Sequence, residues 1–337
     1  MKKILNTLFK YIVFLGLGIY IIYHMIHELS PAQEEQLVNS LKSVNWYFLL
    51  PVFALGFLSH FFRVLRWQLL LHTIDVKPTI INTCFAVFIG YFVNLGIPRA
   101  GEVAKCTVLA KYEKVPPHKL VGTIVAERAF DVLCLIITWL IAFALQASVI
   151  SGYVSKQYIQ FKSAIKHNES SLLIIIVVSI VLVISLILIY RRHKENKIGI
   201  FLKEMSHGVS SIFRMKNRMG FIVLTILIWV MYIFQIYIGF WGLPGLGIYH
   251  LTIPAAIVVL VYGALGMIVT PGGIGLYTLL VAQILAAYQV DDINAQAFGW
   301  IAWAVQEGII VILGILSFIF IHSYNKWLNG KVALDTK

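Results

Sequence analysis

Charge is scarce in this chain. Charged residues make up 12% of its 337 positions and hydrophobic residues 60%, whereas a soluble globular protein is charged at roughly 25% of positions. That excludes an ordinary water-soluble domain and, with a mean hydropathy of +0.86, leaves a chain solvated mainly by lipid. Acidic residues are scarcer still, 15 against 27 lysines and arginines, for a formal charge of +12. The basic residues sit in short segments between apolar runs, as in cytoplasmic loops, so no nucleic-acid partner is expected. Cysteine is nearly absent. Cys84, Cys106 and Cys134 are odd in number and scattered through mostly apolar sequence, which excludes a metal or redox spacing and makes them packing residues. Also missing are nucleotide-type phosphate loops, zinc spacings and Ser–His or Cys–His sets, so no metal, cofactor or covalent catalysis is expected.

Apolar runs fill the chain instead, near 9–26, 46–64, 80–97, 120–145, 171–190, 220–241, 252–270, 276–289 and 297–321. A helix of about 20 apolar residues spans the hydrocarbon, so the fold class is an all-α integral membrane protein. Met1-Lys2-Lys3 before Phe9–Ile26 has the look of a signal peptide, but no A-x-A-like cleavage site follows and the run is long enough to span. It is read as a retained first helix. If every run crossed from a cytoplasmic N-terminus, the basic segments 98–119 and 191–218 would both fall outside, against the positive-inside rule. Both fall inside if 80–118 is a re-entrant hairpin, and the C-terminus joins them if 252–290 is a second one entering from outside. The expected topology is six spanning helices and two re-entrant hairpins in one domain over 1–321, with a cytoplasmic tail at 322–337. Segment 27–45 is read as a linker, and 146–170 as a linker that lies outside despite Lys156, Lys162 and Lys166. Both termini would be cytoplasmic, in the inner membrane.

Aligning Gly90 with Gly263 places Pro98 on Pro271, eight residues on in each case. Each break precedes a short helix and then a long apolar helix carrying acid, so the units about 80–145 and 252–321 read as inverted repeats. Broken helices in corresponding places of two halves point to a transporter's binding site.

Several groups can carry chemistry. In Asn94-Leu-Gly-Ile-Pro-Arg-Ala-Gly-Glu102, Gly96 and Pro98 end a helix, and Gly101 follows in the same break. The next helix would start near Arg99 with free N–H groups aimed at the break. Arg99 adds a fork of donors suited to phosphate, and Glu102 shares its face. The flanking membrane segments favour a lipid-phosphate site over a plain helix cap with a surface salt bridge. Glu127-Arg128-Ala-Phe-Asp131 opens a span, with Glu127 and Asp131 on one side and Arg128 able to pair with Asp131. It reads either as an ion cluster locking the bundle or as a substrate contact, with Arg99 or Lys105 as a partner. His60, Arg63, Arg66 and Trp67 read first as interfacial anchors, and second as headgroup contacts. Pro271, Gly272, Gly273 and Gly275 form a second break, suited equally to an anion nest and to tight helix packing. Glu307, beside Gln306 in mid-span, reads as a proton-coupling carboxylate or as a protonated structural acid.

Four patterns resemble the membrane region of the lysylphosphatidylglycerol synthase/flippase family: Arg63-x-x-Arg66-Trp67; Gly90-x-x-x-Asn94-x-x-x-Pro98-Arg99-x-Gly101-Glu102; Glu127-Arg128-x-x-Asp131; and Pro271-Gly272-Gly273-Ile274-Gly275. The resemblance covers most of about 60–320. It implies a flippase-like domain moving a phospholipid or polyprenyl-linked anion between leaflets. Full-length synthases continue into a soluble aminoacyl-transferase domain. About 16 residues follow the last apolar run here, so that reaction is not expected. The family often has a glutamate just after the second break, where Tyr277 and Thr278 stand; the departure turns the expectation from aminoacyl lipid toward a plain anionic or polyprenyl lipid. Arg99, with Arg63 and Arg66, would hold the phosphate, while Glu102, Glu127 and Asp131 orient those arginines or exchange protons. The rival readings are an intramembrane enzyme using Glu102, Glu127 or Asp131 as base, and a scaffold subunit for an unknown protein partner.

Overall fold

The computed structural model describes residues 2–97, 100–167, 212 and 215–335. Among these, every regular element is helical: α1 (Lys2–His27), α2 (Pro31–Lys42), α3 (Trp46–His72), α4 (Ile80–Gly96), α5 (Ala100–Glu113), α6 (Pro117–His167), α7 (Arg218–Gly242), α8 (Ile253–Val269), α9 (Leu276–Ala287) and α10 (Asp292–Asp335), with short 3-10 turns at Pro244–Tyr249 and Pro271–Gly273. Four are long and apolar enough to cross a membrane, namely α3, α6 over Pro117–Tyr153, α7, and α10 over Asp292–Leu328. A fifth is added if α1 and α2, bent by 111°, are counted as one span. The apolar helices α4, α8 and α9 have 17, 17 and 12 residues. At 1.5 Å per residue none exceeds about 26 Å, short of the roughly 30 Å hydrocarbon core.

The protein is therefore a multi-pass α-helical membrane protein. The expected run at 171–190 and most of the basic segment 191–218 lie outside the described residues. Two linker assignments are corrected. Segment 27–45 contains α2, started by a capping box in which the Ser30 hydroxyl accepts from the Gln33 amide and the Gln33 side chain accepts from the Ser30 amide at 2.9 Å. Ser30-Pro31-Ala32-Gln33 spells that box, in a segment whose polarity otherwise reads as loop. From 146 to 167 the chain is helical, a continuation of α6 interrupted by the non-helical backbone of Gln146 (φ −135°, ψ 33°).

Buried apolar side chains fall in two clusters. One joins α8, α9, the first half of α10 and the end of α7. The other joins the end of α3 with α4, α5, the start of α6 and Phe221 of α7, and all three cysteines pack in or against it. Each cluster is organised around one helical hairpin, α8–α9 or α4–α5. Outward-facing Ile136, Ile137, Trp139, Leu140, Ile141 and Phe143 of α6 form an apolar exterior, as lipid contact requires. Where α10 begins, Asp291 accepts from the Asn294 amide at 3.0 Å and from the Tyr249 phenol at 3.0 Å. Burial opposes its ionisation, but these bonds outweigh it and hold the carboxyl below the ordinary range.

α10 continues past Ile321 and docks there on the α4–α5 hairpin. Asn325 donates to Asn82 at 2.8 Å and accepts from it at 3.0 Å, and Asn82 also donates to Glu113 at 2.7 Å. Asn325→Leu leaves the Asn82 carbonyl without its partner in a buried place. It should cost about 1–3 kcal/mol, read as a lower melting temperature in detergent. Adding Asn82→Leu should recover part of that loss.

Candidate functional site

The C-terminal half of α3, the first half of α5 and the start of α6 bring together a buried ion cluster. Arg63 and Arg66 are three apart on α3, Lys105 lies on α5, and Glu127 and Asp131 are one turn apart on α6. Arg66 Nη2 lies 2.7 Å from Asp131 and 3.3 Å from Glu127; Arg63 Nη1 lies 3.2 Å from Asp131; Lys105 Nζ lies 2.8 Å from Glu127. Arg66 and Glu127 are 0% exposed and Lys105 3%. Aromatic faces complete the enclosure, with the Lys105 ammonium 3.9 Å from the Trp67 ring centre and the Arg66 guanidinium 5.5 Å from that of Phe221. Trp67 donates to Thr123 at 3.0 Å, Arg66 to Thr225 at 3.4 Å, and Arg63 to Tyr232 at 2.9 Å. Three cations thus share two carboxylates. Charges so far from water persist only when paired in this way.

This arrangement corrects two expectations. Arg66 and Trp67 are not interfacial anchors, because both side chains are fully buried; they pack into the bundle on the face that α3 turns toward α5 and α6. Arg128 does not pair with Asp131, whose oxygens are taken by Arg63 and Arg66. It lies instead 3.5 Å from Glu102 across the α5–α6 seam, 41% exposed. Lys105, expected only as a partner, proves central, and its place one turn beyond Glu102 is the signal that could have promoted it. Tyr232, Thr123 and Thr225 were missed, since an isolated hydroxyl in an apolar run carries no signal of its own.

Pro98 and Arg99 lie outside the described residues. The rest of the first break closes a hairpin. The Asn94 side chain accepts from the Gly101 amide at 2.8 Å, and Gly90 and Gly101 are so close that a Cβ on Gly101 would strike the Gly90 carbonyl. Nothing lies within 4 Å of a Cβ built on Gly96. At the second break Gly272, Gly273 and Gly275 take φ of +58°, +68° and +72°, open to glycine without strain. The amides of Gly273, Ile274 and Leu276 donate to carbonyls of the break itself, Trp303 donates to the Gly272 carbonyl at 2.7 Å, and Gly275 abuts Gly18 of α1. Of its two readings, tight packing has these contacts behind it. The two breaks also meet, with the Leu95 side chain 3.8 Å from a Cβ built on Gly272.

Two cavities flank the hairpins. One, about 440 Å³, lies between α5 and α6; Val103, Val121, Val125 and Val132 give it apolar walls, with Glu102 and Arg128 as its charged pair. The other, about 920 Å³, lies at the opposite end of the bundle among α1, α6, α9 and α10, with His24, Glu28, Gln283 and Asp292 among its polar groups. Glu307 belongs to neither; it is buried in α10. Among the described residues no group of three or more His, Cys, Asp or Glu could hold a metal.

The sequence profile described as Lysylphosphatidylglycerol synthase TM region matches residues 8–327. The chain belongs to this family. No other family domain is matched within it, and no curated protein or solved structure matches it. Membership in the lysylphosphatidylglycerol synthase TM region family agrees with the four motifs that suggested it. Of those, the Arg63-x-x-Arg66-Trp67 and Glu127–Asp131 motifs build the ion cluster, and the Gly90–Gly101 motif closes the first hairpin.

Proposed function

We propose that this protein moves an anionic phospholipid or other lipid-linked phosphate between leaflets without hydrolysing ATP. The observation that carries the reading is the cavity between α5 and α6. Its walls are valines that are themselves 37–67% exposed, so acyl chains can enter sideways, and Arg128, 41% exposed, offers a phosphate its guanidinium beside the buried cluster. Behind it, Arg63, Arg66 and Lys105 outnumber their carboxylates, so the surroundings favour an anion. Arg99, next in the chain to the start of α5, is assigned to the same phosphate. Glu102 holds Arg128 when no lipid is bound.

In this reading α4–α5 and α8–α9 are re-entrant hairpins from the inner and outer faces, related as inverted repeats, and six helices span once the 171–190 run is included. Both termini are cytoplasmic, in the inner membrane. Short arms, glycine-closed tips that meet, and a cavity beside the second arm of each hairpin all support this arrangement.

The test is translocation of labelled phosphatidylglycerol and polyprenyl phosphate in proteoliposomes. Arg128→Ala should slow translocation about 10-fold or more, since a charge-assisted contact is worth roughly 1.5–3 kcal/mol. An ion pair this exposed contributes about 0–1 kcal/mol to stability, so the melting temperature should hold. Arg99→Ala should act in the same direction. A well-folded wild-type protein that moves neither lipid would sink the reading.

A further inference from the structure

Glu307 is 7% exposed, and neither of its oxygens has a hydrogen-bond partner among the described residues. Among those residues no charged side chain acts on it electrostatically. An ionised carboxylate in such a place would meet the full cost of leaving water with no partner to offset it.

The helices packed against α10 carry polar, underused groups. From α3 comes His60, brought close because Gly56, one turn earlier, leaves room for Ile309 of α10 and Gln235 of α7. His60 Nε2 is 3.3 Å from the Gln306 side-chain nitrogen, and its Nδ1 is buried without a partner. From α4 comes Tyr91, its ring 5.3 Å from that of His60 and its hydroxyl also unpartnered. From α9 come Tyr277, within electrostatic range of Glu307, and Thr278, with a buried unpartnered hydroxyl. α7 presents Tyr232, held by Arg63; α2 meets α10 at its far end, through Asn294. Tyr91 lies within electrostatic range of Arg63, Tyr232 and Arg128. From Gln306, next to Glu307 in the chain, polar side chains continue through His60 to Tyr91.

We propose that Glu307 is a proton-carrying site, linked by His60 and Tyr91 to the inner ion cluster, and that it couples lipid movement to a proton. The carboxylate takes a proton from hydronium on one side, leaving water, and returns it to water on the other; no other bond changes. Coupling rests on the translocator reading, whereas protonation of Glu307 does not.

Two measurements on reconstituted full-length protein separate them. Infrared difference spectra across an acid-to-alkaline step should show the C=O stretch of a protonated carboxyl that Glu307→Gln, nearly identical in shape, has lost. Translocation of labelled phosphatidylglycerol should change with the sign of an imposed pH gradient in wild type, lose that dependence in Glu307→Gln, and retain only part of it in His60→Gln. A spectrum unchanged by Glu307→Gln overturns the proton site. Lipid movement indifferent to the pH gradient, or driven by a sodium gradient instead, overturns the coupling and leaves the translocator reading standing. The infrared band without lipid movement keeps the proton site and removes the translocator reading.

Discussion

Glu127→Ala should melt far below the wild type in detergent, through the loss of about 3–5 kcal/mol. The carboxylate removed holds Lys105 at 2.8 Å and Arg66 at 3.3 Å. Without it Lys105, 3% exposed, keeps only the Trp67 face, and a cation–π contact is worth about 2 kcal/mol when desolvated. Arg63 and Arg66 must then share Asp131 while Lys105 goes unpaired. Total stability is commonly about 5–15 kcal/mol, so this one change removes a large share. The account turns on charge, which makes a double substitution the deciding control. Lys105→Met with Glu127→Gln removes one cation and one anion and should regain most of the lost melting temperature. A double variant no more stable than Glu127→Ala would mean that packing, not pairing, holds this seam together.

The second large effect is expected at Gly101. Gly101→Ala puts a methyl group into the Gly90 carbonyl and against the Asn94 side chain, and neither can yield cheaply. One is backbone, and the other is fixed by its bond to the Gly101 amide. The arms of the first hairpin must separate, at a cost of about 1–3 kcal/mol or more, and the cavity beside α5 should change shape with them. Gly96→Ala is the companion measurement. Its added Cβ meets nothing within 4 Å, so stability should stay level or rise by about 0.4–1 kcal/mol. Equal melting temperatures for the two alanine variants would contradict close packing at the hairpin tip.

Much of this site could be read from the residues, because in hydrocarbon each charge or break stands out against an apolar background. The short arms at 80–97, 252–270 and 276–289, the glycine breaks and the burial of Glu127 were all anticipated from that contrast. What eluded sequence reasoning was partner choice. Spacing along one helix suggested Arg128 with Asp131, but α3 presents two guanidiniums to the same face of α6, and they take the aspartate first. Arginine and tryptophan near a span end suggested anchoring, since a sequence does not reveal that the end lies beneath another hairpin. The polarity of α2 masks its capping box, and Gln146 carries no mark of the kink it makes.

That kink makes α6 two walls rather than one. Pro117 to Val132 line the cavity beside α5, Ser148 to Tyr153 line the one beside α9, and Gln146 falls between. One helix is thus shared by both cavities, and the angle it takes at Gln146 sets how the two walls stand to each other.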